Sequence, residues 1–217
     1  MRFDAKSCLI LSPHTDDIEL SAGATIRKFI ENGCRVKSLV FSDCKKSVDT
    51  SRYEQDVLVK ECRAAAKHLG INELEILEYP VREFPKYRQE ILEKIYSIRK
   101  EMKPELVIAP WEKDLHQDHQ TVAKEALRAF MRTDTSIWAY QVPGTCSGFT
   151  PDIFISITES EIEQKIELLY KYESQVVRRD YFQPNKIRGM LSYFGTFIGL
   201  PYAEGFMNCK SVLNLDI

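Results

Sequence analysis

Two short segments of this 217-residue chain concentrate side chains that can hold a metal ion. The first is "HTDD", His14 to Asp17, which begins three positions after the apolar run "SCLIL" ends; the second is "HQDH", His116 to His119, a few residues after "ELVIAPW". These segments contain three of the chain's four histidines. Two neutral imidazoles and one carboxylate form a zinc site that leaves one position open for water, and zinc then acidifies that water or polarises a carbonyl. We therefore interpret the two segments as halves of one metal site.

Helix capping is the simpler interpretation of the same aspartates. Asp16 or Asp17 could cap the helix that follows, and Asp118 could cap a later one. One such cluster would be weak support for a metal site, but two clusters, each after a predicted buried strand, favour it. The fourth histidine, His68, falls near the end of a predicted helix, where the helix dipole favours an imidazole, so we assign it a structural role.

Alternating strand-like and helix-like segments must position these side chains. Short apolar runs predict strands at 7–12, 36–42, 73–79, 105–111, 136–142 and 152–157. Amphipathic patterns predict helices at 18–32, about 53–69, about 87–102, after His119, and about 159–175. This order predicts an α/β fold: a single domain, 1–217, with a Rossmann-like, mainly parallel sheet and helices on both faces. In such sheets ligands bind at the carboxyl ends of the strands, so both clusters belong at one edge.

Composition excludes several functional classes. The net charge is −2 and no stretch is rich in Lys and Arg, so we expect no nucleic-acid partner. No apolar run approaches about 18 residues, so we expect no membrane span, and the N-terminus lacks the features of a signal peptide. The six cysteines show no CxxC spacing, which predicts reduced thiols and a cytoplasmic location. GxGxxG, GxSxG and P-loop motifs are absent from the sequence.

Four segments resemble the LmbE-like, or PIG-L, family of zinc-dependent N-deacetylases. That family carries His-Pro-Asp-Asp after its first strand and His-x-Asp-His later, and "HTDD" and "HQDH" stand in those places. "KECRAAAKHLGI" (60–71) and "GTFIGLPYAEGF" (195–206) are similar to two further family segments, so the resemblance covers nearly the whole chain. Thr15 replaces the usual proline, and the Gly-Glu pair and arginine that many members carry after the second strand are missing. This second departure concerns the substrate rather than the chemistry.

The resemblance implies a role for each residue of the two clusters. The implied zinc ligands are His14, Asp17 and His119. Asp16 would be the general base for the attacking zinc-bound water, and His116 would stabilise the oxyanion, with Asp118 behind it. The implied reaction removes the N-acetyl group from an N-acetylated amino sugar or glycoconjugate. Iron(II) is an alternative metal, because sets of two histidines and a carboxylate also hold it.

Four further side chains are predicted to contact the substrate: Asp43, Arg188, Tyr202 and Glu204. Asp43 ends the second predicted strand, and Arg188 could bind a sugar hydroxyl or a phosphate. For Arg188 the alternative is a solvated surface arginine, and for Tyr202 and Glu204 it is a purely structural role. The turn-rich segment 144–151 is a candidate cover for the site, and Trp111 is a candidate sugar-stacking residue or part of the core.

The residues leave other functions open. One alternative is an amidase acting on another small amide, such as a thiol conjugate. A second is a non-catalytic metal-binding or sugar-binding module, although retention of both Asp16 and Asp17 favours turnover. A third is Mg²⁺-dependent phosphoryl transfer, which two histidine ligands disfavour because Mg²⁺ prefers oxygen. The sequence indicates neither the particular sugar nor whether the chain forms a homo-oligomer.

Overall fold

Seven strands form one sheet in the computed structural model of the protein, which describes residues 5–212. They are β1 (Ser7–Ser12), β2 (Arg35–Val40), β3 (Glu73–Ile76), β4 (Leu106–Pro110), β5 (Ser136–Tyr140), β6 (Ile153–Ser156) and β7 (Ala203–Lys210). Their order across the sheet is β3-β2-β1-β4-β5-β7-β6. The first five strands are parallel, whereas β7 runs antiparallel to both β5 and β6. The predicted single-domain, Rossmann-like and mainly parallel sheet is confirmed.

Helices cover both faces of this sheet. They are α1 (Asp17–Glu31), α2 (Val57–Leu69), α3 (Arg88–Met102), α4 (Gln117–Phe130), α5 (Glu159–Leu169), α6 (Glu173–Val176) and α7 (Pro184–Thr196). Side chains alternate along β1, so Cys8 and Ile10 join the core under α1, α2 and α5, while Leu9 and Leu11 join the core under α3 and α4. Both faces of the central strands are therefore buried, which explains their nearly continuous apolar sequences.

The sheet reverses its strand order between β1 and β4. From β1 the chain winds outward through β2 and β3, and it then returns to lay β4 against the other side of β1, with Cys8 opposite Leu106. The carboxyl ends of β1 and β4 border a crevice at this point, because the segments that follow them leave in opposite directions. The two histidine-containing loops follow these two strands, so the topology brings them together.

The C-terminal third departs from the sequence-based prediction. The helix predicted over 159–175 is interrupted, because α5 ends at Leu169 and the short α6 begins only at Glu173. Two elements, α7 and β7, were not predicted. The sequence does contain signals for α7: Pro184 stands at its first position, and Ile187, Leu191 and Phe194 supply a buried face.

Two chain-wide properties bear on function. All six cysteines are free thiols, and four of them are buried. Across residues 5–212, every helix is too short or too polar to cross a membrane.

Candidate active site

The loops after β1 and β4 form the floor of a cavity of about 300 Å³. His14, Asp16 and Asp17 come from the first loop and the start of α1, and His116 and His119 come from the start of α4. The volume lies at the lower end of the range, roughly 300–1,000 Å³, that is typical of small-molecule sites. The two sequence clusters thus meet in one cavity of small-molecule size.

Three donor atoms on the cavity floor form a nearly equilateral triangle. His14 Nδ1 lies 3.2 Å from His119 Nε2 and 3.2 Å from Asp17 Oδ2, and His119 Nε2 lies 3.4 Å from Asp17 Oδ2. A tetrahedral zinc site with bonds of about 2.0–2.1 Å has ligand atoms about 3.3–3.4 Å apart. The chemistry and the spacing of this donor set therefore fit a tetrahedral metal ion. A ligand atom of His116 also lies within 4.8 Å of those of His14 and His119, so a wider three-histidine group shares the site.

Each of the two histidines in the triangle has its remaining ring nitrogen against a buried carboxylate. His14 Nε2 lies 3.1 Å from Asp118 Oδ2, and His119 Nδ1 lies 2.9 Å from Asp114 Oδ2. Such carboxylates fix the tautomer and orientation of a metal-ligating imidazole. For Asp118 this corrects the predicted place behind His116, because its carboxylate is 3.9 Å from His116 Nδ1 and closer to His14.

Asp118 also links the site to the segment before α3. Its carboxylate accepts hydrogen bonds from the backbone N–H groups of Arg82 (2.6 Å) and Phe84 (3.2 Å). Burial alone would raise the pKa of Asp118, but the hydrogen bonds from His14 and Arg82 outweigh it and leave the pKa below its ordinary value. Asp118 is thus an ionised, fully buried group that holds His14 in place.

Asp114 is a functional candidate that the sequence analysis missed. Its Oδ1 accepts the His116 N–H at 2.7 Å, and its Oδ2, besides contacting His119, accepts the Thr145 hydroxyl at 2.9 Å and the Cys146 thiol at 3.0 Å. Asp114 therefore ties the histidine loop to the 142–146 segment on the cavity wall. The motif "DLHQDH" contains the signal, because an aspartate two residues before the first histidine belongs to the same loop.

Asp16 lies beside the triangle and lines the cavity. It occupies the N-cap position of α1 but makes no side-chain capping hydrogen bond, so the capping interpretation does not explain it. Burial, and secondarily the neighbouring negative charge of Asp17, raise its pKa to about 6. A carboxylate with a raised pKa near a metal-ligand set is suited to accept and return a proton.

Burial alone would raise the pKa of Asp17, yet the adjacent His119 and His14 hold that pKa well below its usual range. Asp17 is therefore ionised, as a metal ligand must be.

His116 is placed to donate a hydrogen bond into the cavity. It is the N-cap residue of α4, and its Nδ1 accepts the N–H of Asp118 at 3.2 Å. In the neutral ring the proton then sits on Nε2. Burial, followed by the positive charges of the neighbouring His14 and His119, lowers the pKa of His116 to about 4.

Glu204 is not a substrate contact, which corrects that prediction in favour of its structural alternative. Its carboxylate is buried, forms an ion pair with Lys165 at 2.5 Å, and accepts the backbone N–H groups of Ala24 (3.1 Å) and Thr25 (2.7 Å). The helix α1 is broken just before these residues, because Ala22 has a non-helical backbone (φ −137°, ψ 16°). Glu204 caps the second half of α1 from outside the helix.

The other three predicted substrate contacts do not line the cavity. Arg188 pairs on the surface with Glu159 and Glu163 of α5, so its solvated alternative describes it. Tyr202 lines a separate cavity with Thr158 and Glu159. Asp43 follows β2, and its carboxylate pairs with Lys45 Nζ at 2.7 Å rather than opening into the cavity.

The remaining cavity wall comes from residues outside the two histidine clusters. They include Val142 to Thr145, Gln175, Arg179 and Tyr181. Of the predicted covering segment 144–151, Gly144 and Thr145 line the cavity, whereas the Phe149 ring packs edge-on against Trp111 at 5.5 Å. Trp111 is buried and does not line the cavity, so it belongs to the core.

Fold and site together define the class: a doubly wound α/β protein with a histidine–carboxylate group, able to hold a metal ion, at its topological switch point. A family model described as "PIG-L: GlcNAc-PI de-N-acetylase" matches residues 9–130. The chain belongs to this family, a family of deacetylases, as the resemblance of its motifs predicted.

Similar proteins agree with this assignment. The diacetylchitobiose deacetylase of Thermococcus kodakarensis is 26% identical over 223 aligned residues, which cover 93% of this chain and 82% of that protein. The solved N,N'-diacetylchitobiose deacetylase of Pyrococcus horikoshii is 23% identical, with a TM-score of 0.79 and coverage of 94% of this chain and 83% of that chain. The latter likeness establishes the fold.

A protein with another reaction has the same fold. GalB, the 4-carboxy-2-hydroxymuconate hydratase of Pseudomonas putida, is 19% identical with a TM-score of 0.77, covering 98% of this chain and 99% of that chain. The fold alone therefore does not decide the reaction, and the function must be argued from the site.

Proposed function

We propose that this protein is a metal-dependent hydrolase that removes the N-acetyl group from an N-acetylated amino sugar or glycoconjugate. The observation that carries the proposal is the triangle of His14, Asp17 and His119 on the floor of a cavity that Asp16 and His116 also line. The named relatives act on diacetylchitobiose, and the family description names an N-acetylglucosaminyl lipid, so an N-acetylated sugar is the best-supported substrate class.

Each residue of the site has a distinct part in this reaction. His14, Asp17 and His119 hold the metal, and a bound divalent cation supplies Lewis acidity toward the amide carbonyl and makes water more acidic. Asp16 takes the proton from the attacking water and passes it to the departing amine. His116 donates from Nε2 to the carbonyl oxygen as negative charge develops there. Asp114 and Asp118 keep the two imidazoles oriented.

Zinc is the proposed metal, because its tetrahedral geometry matches the donor triangle; iron(II) suits the same donors. The free thiols support a cytoplasmic location as part of the proposal. Within the same chemistry, the alternative substrate is another small amide, such as a thiol conjugate. Metal analysis after mild purification, together with acetate release from a panel of N-acetyl sugars, tests the metal and the substrate class.

The variant Asp16→Ala tests the mechanism. We expect it to keep its metal and to lose deacetylase activity by a factor of about 10²–10⁴, the usual contribution of a general base. Asp56→Ala is the matched control, because Asp56 is also an N-cap residue without a capping hydrogen bond, on α2, and does not line the cavity. Metal content by mass spectrometry and acetate release are measured on the same samples.

Two results would contradict the proposal. If Asp16→Ala lost its metal or retained full activity, the general-base role would be wrong. If the metal-loaded wild-type protein released acetate from no N-acetyl sugar, the sugar would be wrong as a substrate. Amine release from other small amides would then separate an amidase from a non-catalytic binding module.

A further inference from the structure

One cation at the cavity has neither a hydrogen bond nor an ion pair within the described part of the chain. Arg179 is the single lysine or arginine among the described residues that line the cavity. Its guanidinium makes no hydrogen bond or ion pair with any other residue of 5–212, and at longer range its positive charge acts on the carboxylate of Asp16. Three cations of neighbouring segments are engaged: Arg178 donates to the Ser47 carbonyl, Lys45 pairs with Asp43, and Lys46 pairs with Glu83. Arg179 therefore presents an unused set of donors to the cavity.

The backbone around Arg179 is fixed to the rest of the site. The N–H groups of Arg178 and Arg179 both donate to the Gln175 carbonyl, at 2.9 and 2.8 Å, and the Arg179 carbonyl accepts the N–H of Phe182 at 3.1 Å. Three residues before Gln175, the buried Tyr172 hydroxyl donates to the carbonyl of Thr15, inside the "HTDD" loop. Arg179 is thus held at a set place relative to His14 and Asp17 rather than on an independent loop.

The positions of the charged residues along the cavity indicate which part of a substrate Arg179 contacts. The floor carries Asp16, Asp17 and the histidines, where the proposed function places the acetamido group. Arg179 lines the same cavity with Gln175 and Tyr181, and its positive charge reaches Asp16. Its side chain is exposed whereas His14, Asp17 and His119 are buried, so Arg179 lies toward the mouth of the cavity. A guanidinium binds carboxylates and phosphates through two parallel hydrogen bonds, and it does so best where no protein carboxylate already occupies it.

We propose that Arg179 forms an anion subsite at this cavity, which binds a carboxylate or phosphate on the part of the substrate beyond its N-acetylated ring. This inference rests on the proposed deacetylase function and narrows its substrate class to anionic N-acetyl glycosides. The alternative is that Arg179 is a solvated surface arginine. The adjacent Arg178 provides the comparison, because its side chain is also exposed but does not line the cavity.

The test compares three glycosides of N-acetylglucosamine that differ in their aglycone: a neutral methyl glycoside, a carboxymethyl glycoside and the 1-phosphate. For the wild type, we expect kcat/KM to be about tenfold higher for at least one anionic glycoside than for the methyl glycoside, mainly through a lower KM, because a binding contact present in both ground and transition states acts there. The two anionic arms distinguish carboxylate from phosphate. The preference should weaken as ionic strength rises, because the guanidinium is exposed.

Three variants test whether Arg179 causes the preference for anionic glycosides. Arg179→Gln should reduce the ratio of anionic to neutral kcat/KM to about one, and Arg179→Lys should restore only part of it, because lysine lacks the planar fork. Arg178→Gln should keep the wild-type ratio. Circular dichroism of all three variants verifies that they are folded.

Three outcomes decide the inference. If the wild type does not prefer either anionic glycoside, or if Arg179→Gln keeps the preference, the anion subsite is overturned while the deacetylase function stands. If no glycoside is hydrolysed, the proposed function fails separately. Calorimetric binding of N-acetylglucosamine 1-phosphate and of the carboxymethyl glycoside then decides the subsite: at least one must bind the wild type about tenfold more tightly than Arg179→Gln, and equal binding of both overturns it.

Discussion

At the scale of single residues, each of the two histidines proposed as metal ligands is paired with a buried carboxylate. His14 and His119 each place one nitrogen in the triangle and the other against a buried carboxylate, Asp118 or Asp114. Because each imidazole is oriented from behind, the nitrogen that we propose as a metal ligand needs no rearrangement when a metal binds. This arrangement explains why the two loops contain more acids than a three-ligand site requires.

The variant Asp114→Asn tests this support. We expect metal affinity to fall by about 10–100-fold, because the carboxylate behind His119 loses its charge while its size is kept. Competition with a chromophoric chelator measures the affinity. Asp152→Asn is the control, because Asp152 accepts the backbone N–H of Asn208 at the far edge of the sheet. An affinity for Asp114→Asn within about threefold of the wild type would contradict this role.

At the scale of elements, α1 is two helical pieces that a distant strand holds together. Glu204 of β7 supplies the acceptor for Ala24 and Thr25 after the break at Ala22, and Lys165 of α5 neutralises its charge and also donates to the carbonyl of Glu19 at 3.0 Å. The first piece starts at Asp17, so the capping of the second piece fixes the direction in which the ligand-bearing end points. The sequence analysis assigned Glu204 to substrate binding, but the structure shows that it supports α1, the helix that begins at the site.

Lys165→Met should destabilise the protein by about 3–5 kcal/mol, because it leaves the fully buried Glu204 carboxylate without its counter-charge. Urea unfolding at neutral pH measures the change. Arg188→Gln removes an exposed pair between α7 and α5 and should cost at most about 1 kcal/mol. If the two variants lowered the free energy of unfolding equally, burial would not explain the contribution of the Lys165–Glu204 pair to stability.

At the scale of the whole molecule, we expect the proposed metal site and the hydrophobic core to be separate sources of stability. Two apolar clusters, one on each side of the sheet, bury the central strands independently of the ligand triangle. The metal-free protein should therefore be folded, and a metal should add stability by binding only the folded state, where the two loops meet.

Metal removal tests this separation. At a free metal concentration 100 times Kd, binding adds about 2.7 kcal/mol, which corresponds to about 5–10 °C in Tm for a chain of this size. We expect a chelator to lower Tm by that amount while far-ultraviolet circular dichroism at 25 °C stays unchanged. In the variant His119→Ala, the chelator should lower Tm only slightly. Loss of the dichroism signal on chelation would instead mean that the metal holds the fold together.

Much of this molecule could be predicted from its sequence, because the strongest signals were periodic or local. Buried strands gave continuous apolar runs, and the two histidine clusters followed two of them. Asp114 was missed because its contacts to His119 and Thr145 depend on how the loop folds. Arg188 and Glu204 were misassigned because a charged residue looks the same in sequence whether it meets a substrate, solvent or a buried partner. Arg179 had no motif, and only the tertiary fold brings it to the cavity.

The strand order has a consequence for how this protein is made. His14 and Asp17 leave the ribosome about a hundred residues before His119, and β1 has no β4 to pair with until β2, α2, β3 and α3 have been synthesised. A nascent chain that has not reached β4 therefore carries two of the three proposed ligands and a strand β1 that is paired only on its β2 side. We therefore expect metal to be loaded during biosynthesis only after β4 has joined the sheet and brought His119 to the other two proposed ligands.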